Sequence, residues 1–519
     1  MGYITKIKLQ NFKRFQSLSL RVNENLNVFV GDNESGKSTI LDAVNITLSG
    51  KRKKIETLDL EALFNYDVIK TFLTTERKYE ELPILFIELY FNEQNNPDLN
   101  GINNSDNIEC DGVRFECGPN DGLSKEIKEI LTNPIPIFPF EFYEINYSTF
   151  SGDIYSGYKN YLKHLSIDHS QIGNEYALRE YIKSMYNNSI EKNEKPKHFN
   201  EYRKYKNNYA RDVLSDLNSK NDNYSFAIRN NSKANLETDL TIIDCEIDIE
   251  NKGKGRQCFV KTDFALNRSG DNIDVILIEE PENHLSHINV NKMIKKIMDS
   301  RNTQLFISTH SNMISARLDL RNAILLNSNS QNTTVLNSIS GSTSQYFMKA
   351  PNNNILNFIL SKKVILVEGD AEYILMEQLY KNITNSELSL NDIHIISVGG
   401  TSFKRYLEIA KILKIKTVVI RDNDQDYEKK CVQDFEYYIC DHIKIFYVSD
   451  NTKYTFEVCL YDSNNQICDE LFSESRRTLS VLQFMLANKA EVAFELLIKK
   501  GNILNVPNYI RDAISWINE

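Results

Sequence analysis

The stretch Gly31-Asp32-Asn33-Glu34-Ser35-Gly36-Lys37-Ser38 decides the fold of the N-terminal part of this chain. It has the Gly-x-x-x-x-Gly-Lys-Ser pattern of a loop whose backbone N–H groups cradle phosphates. A short apolar strand over residues 26–30 leads into the loop, and an apolar helix over residues 39–48 is predicted to follow it. That order of strand, glycine loop and helix is the context that a phosphate-binding loop requires.

The side chains of this loop predict a nucleoside triphosphate as the ligand. Lys37 is expected to reach the β- and γ-phosphates, and the Ser38 hydroxyl is expected to bind Mg²⁺. We therefore assign the nucleotide contacts of the loop to Gly31, Asn33, Gly36, Lys37, Ser38 and Thr39.

Paired acids end a second apolar strand, in Val275-Ile276-Leu277-Ile278-Glu279-Glu280-Pro281-Glu282-Asn283-His284-Leu285. Glu279 can hold Mg²⁺ through water, and Glu280 can orient an attacking water as general base. Further on, Ser308-Thr309-His310 places His310 at a strand end, where it can sense the γ-phosphate. The three motifs, in this order, predict ATP binding and hydrolysis.

These motifs resemble the ABC-type ATPase head of structural-maintenance and recombination-repair ATPases. The resemblance implies a homodimer in which a signature loop of the partner subunit closes over ATP. The candidate for that loop is Lys252-Gly253-Lys254-Gly255-Arg256-Gln257, which gives Gly253, Gly255 and Gln257 as predicted nucleotide contacts. The candidate lacks the family's usual Leu-Ser start. Glu279 replaces the commoner Asp, which predicts slower hydrolysis or an altered metal preference.

Acids also follow apolar strands in the C-terminal third of the chain. Glu368 follows one strand, and Asp422 and Asp424 follow another. Strand ends of α/β folds border the crevice where ligands bind, and hard divalent cations take oxygen ligands. Glu372 lies four positions after Glu368 and would face the same way on a helix. Phosphodiester cleavage uses two such cations, so the ordered set predicts a nuclease-type site for Mg²⁺ or Mn²⁺.

Glu368-Gly369 followed by Asp422-x-Asp424 resembles the Toprim domain of topoisomerases, primases and certain nucleases. An ABC-type head followed by a Toprim domain resembles the OLD (overcoming lysogenization defect) family of ATP-dependent endonucleases. That resemblance implies anti-phage defence, two metal ions, a further acid and a late lysine, matched here by Glu457 and Lys489. The implied metal ligands are Glu368, Glu372, Asp422, Asp424 and Glu457, and Lys489 would stabilise phosphate charge.

The organisation that we predict has two α/β domains, because 519 residues are too many for a single core. The ABC-type ATPase domain is predicted over 1–350, with a helical insertion at 153–235 as a candidate dimerisation element. Alternating strands and helices predict a parallel α/β domain over 361–519, and the resemblance implies that it is a Toprim nuclease domain.

Composition narrows the class of protein further. A net charge of −10 argues against a protein that coats DNA, but bound Mg²⁺ reverses the sign of charge around an acidic site. Runs of about 18 apolar residues and a signal-peptide start are not found, so a cytoplasmic protein is expected. The eight cysteines form no Cys-x-x-Cys pair and are predicted to be reduced, structural thiols.

The leading hypothesis is an ATP-regulated, Mg²⁺- or Mn²⁺-dependent DNA endonuclease. One alternative is a Toprim ribonuclease toxin that acts on RNA such as tRNA. Another is a non-nuclease, ATP-driven DNA repair clamp, against which the clustered carboxylates argue. The resemblance allows a helicase or reverse-transcriptase partner protein, and the sequence does not select one.

Overall fold

The computed structural model describes residues 2–52, 60–133, 135–156, 159, 161–170, 174–191, 193–220, 224–231, 234–267, 273–299, 303–327, 333–350, 354–399, 402–473 and 479–519. The chain divides into two units. The first consists of Met1–His310 and Asn322–Thr333, and the second of Ser311–Arg321 and Thr334–Glu519. The domain bounds that the sequence suggests stay a prediction.

The first unit combines β-strands with helices. Its strands are β1 Ile4–Phe12, β2 Phe15–Arg21, β3 Leu26–Gly31, β4 Leu85–Phe91, β5 Asn100–Gly101, β6 Cys110–Pro119, β7 Tyr143–Thr149, β8 His164–Asp168, β9 Ile243–Asp244, β10 Ile247–Asp248, β11 Val275–Glu279, β12 Gln304–Thr309, β13 Ala323–Leu326 and β14 Thr333–Val335, whose first residue belongs to this unit. Its helices are α1 Lys37–Ser49, α2 Tyr66–Thr74, α3 Ser124–Leu131, α4 Glu175–Ser189, α5 Lys195–Val213, α6 Ser215–Asn218, α7 Leu236–Asp239, α8 Lys254–Asn267 and α9 His287–Asp299.

Two large sheets organise the described part of this unit. One is antiparallel, with the order β2-β1-β4-β6-β5 and with β7 also paired to β6. The other has the order β14-β13-β3-β12-β11-β8, and β13, β3, β12, β11 and β8 run parallel. The fully buried amide of Gln304 joins them, since it accepts from Ile4 N at 2.8 Å and donates to Ile4 O at 2.7 Å.

The parallel sheet positions the phosphate-binding loop. Its central strands are buried runs of apolar residues, as expected for strands that are covered on both faces. The predicted strand before the loop and the predicted helix after it are confirmed, because β3 ends at Gly31 and α1 begins at Lys37. The acids at the end of β11 and the histidine after β12 therefore lie at the same sheet edge as the loop.

The segment 153–235, which we predicted as a helical insertion, contains one strand that the prediction did not include. His164–Asp168 forms β8, which pairs in parallel with β11 and closes the edge of the sheet. Leu165 and Ile167 are buried while the residue between them is exposed, and this alternation is typical of a β-strand with one buried face. The helical part of this segment begins at α4, and Leu214 separates its next two helices, α5 and α6.

The second unit is a parallel α/β fold, as predicted. Its strands are β15 Lys363–Val367, β16 Ile393–Ser397, β17 Lys416–Ile420 and β18 Ile443–Phe446. Its helices are α10 Asn312–Arg317, α11 Gly341–Lys349, α12 Ile355–Leu360, α13 Asp370–Thr384, α14 Phe403–Leu413, α15 Phe456–Ser463, α16 Asn465–Phe472, α17 Val481–Ala487, α18 Lys489–Lys500 and α19 Asn508–Asn518.

The strands of the second unit have the order β16-β15-β17-β18, and all pair in parallel. Residues of β15, β17, α13, α15, α18 and α19 share one apolar core. Because all carboxyl ends of a parallel sheet meet at one edge, the acids that follow β15 and β17 are brought to neighbouring positions.

Candidate nucleotide and metal sites

The phosphate-binding loop owes its path to Gly36. This residue has φ 96° and ψ 15°, a left-handed conformation, and it is the N-cap of α1. A β-carbon there would lie 2.6 Å from the Phe15 ring, so a larger residue would meet both backbone strain and a clash. The loop is therefore fixed by the one residue type that this position accepts.

Lys37 lies inside the loop, with Nζ 2.8 Å from both Gly31 O and Asp32 O. Burial lowers the pKa of Lys37, and the nearby carboxylates, Glu280 first, oppose that shift. The Ser38 hydroxyl donates to Glu279 Oε1, which joins α1 to the end of β11. Burial raises the pKa of Glu279. The hydroxyl and carboxylate are thus adjacent, as the two groups predicted to hold Mg²⁺ should be.

Glu280 and His310 meet at the same edge. Glu280 Oε1 lies 3.5 Å from His310 Nδ1, and its Oε2 accepts from Asn283 Nδ2 at 2.6 Å. Glu282 Oε1 fixes the end of β12 by accepting from His310 N at 3.1 Å. The structure therefore brings the predicted general base and the predicted γ-phosphate sensor together, and it adds Asn283 as a residue that orients the base.

A cavity of about 340 Å³ opens at this loop. It is lined by Arg14, Asn33, Glu34, Ser35, Gly36, Lys37, Ser38, Thr39 and Glu280. Among the described residues, the buried Ser35 hydroxyl has no hydrogen-bond partner. A buried hydroxyl without a partner is costly, and a phosphate oxygen would satisfy it. The cavity thus suits the phosphate chain of a nucleotide.

Arg14 is a lining residue that the sequence reasoning missed. It lies in the turn between β1 and β2, and its guanidinium donates to Glu34 O and, at 2.7 Å, to Asn327 O. Arg14 belongs to no sequence motif that would link it to the glycine loop. The packing of the antiparallel sheet brings it to the cavity. The positive charge beside the loop favours a phosphate ligand.

The candidate signature loop is helical in most of its length, because α8 begins at Lys254 and includes residues 254–257. A β-carbon on Gly255 would overlap His284 O, so this position needs glycine for a close backbone approach. Gly253 lies in open space, without neighbours within 4 Å of a β-carbon among the described residues. The Gln257 amide donates to Lys252 O at 2.8 Å and closes its own turn. Nucleotide contacts by Gly253, Gly255 and Gln257 in a dimer stay a prediction.

The acids of the second unit follow adjacent strands. Glu368 follows β15, and Asp422 and Asp424 follow β17, its parallel neighbour. The helical relation predicted between Glu368 and Glu372 is wrong, because α13 begins at Asp370, after Glu368. Glu372 instead lies in the first turn of α13, and its Oε2 would be 3.3 Å from a β-carbon on Gly369.

Glu368 and Asp424 form an outer acid pair held by one arginine. Arg421 Nη1 donates to Glu368 Oε2, and its Nη2 lies 3.1 Å from Asp424 Oδ2. The Arg421 side chain is only 5% exposed, whereas Asp424 is 41% exposed. The guanidinium was not predicted to take part in this site, because an arginine before an Asp-x-Asp motif has no meaning of its own in the sequence.

Glu372, Asp422 and Glu457 form an inner acid group with Lys489. Lys489 Nζ lies 2.9 Å from Glu457 Oε2. Burial, followed by the charges of Glu372 and Glu457, raises the pKa of Asp422 to about 8. Burial and the Glu457 charge also raise the pKa of Glu372. The three carboxylates and the ammonium are thus close enough to act on one another's charge, and carboxylate oxygens are the ligands that hard divalent cations prefer.

Asn423 fixes the loop between the two aspartates. Its Nδ2 donates to Val448 O at 2.7 Å and to Asp450 O at 3.0 Å, and its Oδ1 accepts from Gln425 N at 3.0 Å. Asn423 is 2% exposed. The sequence reasoning treated this residue as a spacer, but its side chain ties the loop that carries both aspartates to Val448 and Asp450.

Within the described residues, three or more Asp, Glu, His or Cys side chains are not found together as one metal-ligand set. The predicted ligands instead form the outer pair around Arg421 and the inner group beside Lys489. The chemistry of the donors, all carboxylate oxygens beside a cation, fits a divalent metal; their metal-binding roles stay predictions.

A second cavity, of about 520 Å³, lies in the second unit. It is lined by Tyr346, Gly399, Ser402, Lys404, Arg405, Glu408 and Tyr438. Arg405 Nη1 donates to the hydroxyls of Ser342 and Thr343 at 2.7 and 2.9 Å. Among the described residues, no carboxylate is found within 4 Å of its guanidinium. The positive charge of Arg405 is therefore available to an anionic ligand.

The fold and the two sites define an ATPase head followed by a Toprim domain. Residues 3–314 match the AAA ATPase domain model, so the chain belongs to this ATPase family. Residues 359–424 match the TOPRIM domain of overcoming lysogenization defect protein-like sequences. The predicted α/β class, domain order and OLD-family resemblance are confirmed by these matches.

Two relatives have nuclease names. Endonuclease GajA of Bacillus cereus strain VD045 is 29% identical over 171 residues, which cover 32% of this chain and 29% of that protein. Old nuclease of Escherichia phage P2 is 31% identical over 162 residues, 29% of this chain and 28% of that protein. The matches thus span less than a third of either relative.

A solved structure also resembles part of the chain. The C-terminal region of the Xanthomonas campestris pv. campestris OLD protein is 21% identical and covers 31% of this chain and 94% of that one, with a TM-score of 0.26. Separately, no helix in the described part of the chain is both long and apolar enough to cross a membrane.

Proposed function

We propose that this chain is an ATP-regulated, Mg²⁺- or Mn²⁺-dependent endonuclease that cleaves phosphodiester bonds of DNA in anti-phage defence. The observation that carries the proposal is the inner acid group, in which the charges of Glu372 and Glu457 act on the buried Asp422 and Lys489 pairs with Glu457. Buried, mutually repelling carboxylates cost stability, and such perturbed groups are typical of functional sites.

The metal ligands that we propose are Glu368, Glu372, Asp422, Asp424 and Glu457, for two divalent ions. Bound cations would activate water and stabilise the charge of the reacting phosphate. Lys489 has a separate role in this chain: it lies half-exposed beside Glu457, where its ammonium can face a phosphate from the solvent side. Asn423 keeps the Asp422 and Asp424 loop in place.

The cavity of the second unit supports a nucleic-acid substrate. It lies beyond β16, next to β15 in the sheet, and so at the same edge as Glu368. Arg405 offers charge for a backbone phosphate, and the rings of Tyr346 and Tyr438 offer faces on which bases can stack. A strand that reaches the acids would place neighbouring nucleotides here.

The ATPase head would regulate this nuclease. Lys37, Ser38, Glu279 and Glu280 supply the groups for phosphate, Mg²⁺ and water. Closure by the segment 252–257 of a partner subunit would make the chain a homodimer or a higher homo-oligomer. The relatives' names, both of which include "nuclease" or "endonuclease", support the same activity.

The first experiment incubates the purified chain with supercoiled plasmid and Mg²⁺ or Mn²⁺, with and without ATP. We expect nicking or linearisation that requires the metal and is lost in Asp422→Ala. Lys37→Ala shows what ATP does to the reaction. Asp512→Ala and Lys292→Ala are matched controls, because these side chains are exposed and lie outside the sites.

Each outcome separates one function from another. DNA cleavage by Asp422→Ala would refute the metal-site assignment. Intact plasmid together with cleavage of a tRNA pool would replace DNA by RNA as the substrate. ATP hydrolysis stimulated by DNA, with neither nucleic acid cut, would favour the repair-clamp alternative.

A further inference from the structure

Arg421 has an unusual place among the proposed metal ligands. It is 5% exposed, yet its guanidinium reaches the carboxylates of both Glu368 and Asp424. Its backbone N donates to Phe446 O at 3.0 Å, and its guanidinium lies 5.7 Å from the centre of the Phe403 ring. The arginine is therefore fixed at both ends, and it bridges two acids that follow different strands.

The two acid groups of the site differ in how their charge is balanced. In the outer pair, two carboxylates share one guanidinium that bonds both of them directly. In the inner group, three carboxylates share one ammonium, and that ammonium lies within ion-pair distance of Glu457 alone among the described residues. In the deprotonated form that binds metal, the inner group has three negative charges for one ammonium, whereas the outer pair has two for one guanidinium. A divalent cation is therefore attracted more strongly to the inner group.

We propose that Arg421 and a divalent ion compete for Glu368 and Asp424, so that the inner group binds metal first and the outer pair binds a second ion only when Arg421 gives up its ion pairs. This inference rests on the proposed nuclease function and adds an order of metal loading to it. Arg421 acts as a positioning residue, which sets the metal concentration at which the second ion binds.

The physical basis is that the two cations need the same oxygens. The guanidinium hydrogen-bonds one oxygen of each carboxylate, and a hard cation takes its ligands from those carboxylate oxygens. Both cations cannot lie between the two acids, because their like charges would repel at short range. Removing the guanidinium should therefore strengthen binding of the second ion.

The test is calorimetric titration of the full chain with Mn²⁺, after removal of metals with a chelator. For the wild-type chain we expect two classes of sites, with affinities that differ at least tenfold. In Arg421→Gln the weaker class should tighten at least fivefold while the tighter class changes by less than twofold. Glu368→Gln should abolish the weaker class, and Asp422→Asn should abolish the tighter class.

Two further variants protect the result against a folding defect. Arg421→Lys keeps a cation but cannot bridge both acids, so it should give an intermediate affinity for the second ion. Arg321→Gln is the matched control. Arg321 forms an ion pair with one acid, Asp319, at 2.6 Å, and neither residue belongs to the outer pair or the inner group. Circular dichroism and thermal melting in chelator report whether each variant is folded.

The proposal is overturned if Arg421→Gln leaves the weaker class unchanged or weakens both classes in a folded protein. One class in the wild-type chain that becomes two in Arg421→Gln would support it. The plasmid assay tests the nuclease proposal independently of this inference, because the Mn²⁺ titration is done without substrate. Ordered Mn²⁺ binding with intact DNA and RNA would refute the activity and keep the competition.

Discussion

Lys489 lies 2.9 Å from Glu457, so the late lysine and the additional acid of the C-terminal unit form one ion pair. Glu457 is 3% exposed and lies on α15, whereas Lys489 is 49% exposed and begins α18. The lysine therefore balances charge in the inner acid group, and it also remains accessible to a phosphate from solvent.

Removing this lysine should destabilise the fold in the absence of metal. Lys489→Met leaves the buried Glu457 beside Glu372 and Asp422 without its ion-pair partner. We expect a loss of about 1 kcal/mol in the free energy of unfolding, at the low end for a buried pair because Lys489 is half-exposed. Denaturant unfolding in chelator measures this loss, and Lys489→Met with Glu457→Gln should recover it. Equal stability of Lys489→Met and wild type would contradict the pairing.

Asp422 should make stability depend on pH. Its pKa is raised from the ordinary value to about 8 by burial and by the charges of Glu372 and Glu457. The folded chain therefore binds this proton more tightly than the unfolded chain, and the wild-type protein loses stability as pH rises from about 4 to about 8. Asp422→Asn has no such proton to lose.

In chelator, Asp422→Asn should therefore melt at a higher temperature than wild type at pH 8, and at nearly the same temperature at pH 4. At pH 8 the free energy of unfolding of Asp422→Asn should exceed that of wild type by on the order of 1 kcal/mol or more. Asp512→Asn is the exposed control. A wild-type chain that is the more stable of the two at pH 8 would show that the Asp422 carboxylate is not under strain.

Asn423 should be essential for the shape of the metal site. Asn423→Ala removes the hydrogen bonds that a buried amide donates to Val448 O, on a half-buried residue, and to Asp450 O, on an exposed one, which costs about 1–2 kcal/mol. We expect a lower melting temperature and a loss of Mn²⁺ binding of at least tenfold, since Asp422 and Asp424 lose their fixed positions. Asn465→Ala, on the surface at the start of α16, is the control. Unchanged Mn²⁺ affinity would mean that the loop holds its shape without Asn423.

Gly36→Ala should abolish nucleotide binding. The added methyl group meets the Phe15 ring at 2.6 Å, and φ 96° is unfavourable for alanine, so the loop must change its path. We expect at least a tenfold loss of affinity for a fluorescent ATP analogue. Gly118→Ala is the matched control, because its added β-carbon would make only ordinary contacts with Ile84 at 3.7 Å. Wild-type affinity in Gly36→Ala would place the nucleotide elsewhere.

Arg405→Gln should weaken nucleic-acid binding while it leaves Mn²⁺ binding intact. The loss of one phosphate contact predicts severalfold weaker binding of a single-stranded oligonucleotide and a salt dependence that is shallower by about one charge. Fluorescence anisotropy at several salt concentrations measures both. Lys411→Gln, on the same helix α14 but outside the cavity, is the control. An unchanged salt slope in Arg405→Gln would remove this cavity from the substrate path.

The sequence by itself determined the elements that carry the motifs. Strand, glycine loop and helix at Gly31–Lys37, and the acids after β11, β15 and β17, follow from local patterns: buried apolar runs form strands, and Gly36 accepts a conformation that other residues resist. Those patterns act over a few residues, so they can be read from neighbours in the chain.

Only the tertiary structure decided which side chains meet. Arg14 joins the nucleotide cavity through the packing of a hairpin, and β8 joins the sheet although its surroundings in the sequence are polar. Arg421 bridges Glu368 and Asp424 because parallel pairing of β15 with β17 places their ends side by side. Contacts between residues far apart in sequence depend on strand order and packing, which no local pattern specifies; the pairing of cations with acids therefore had to come from the fold.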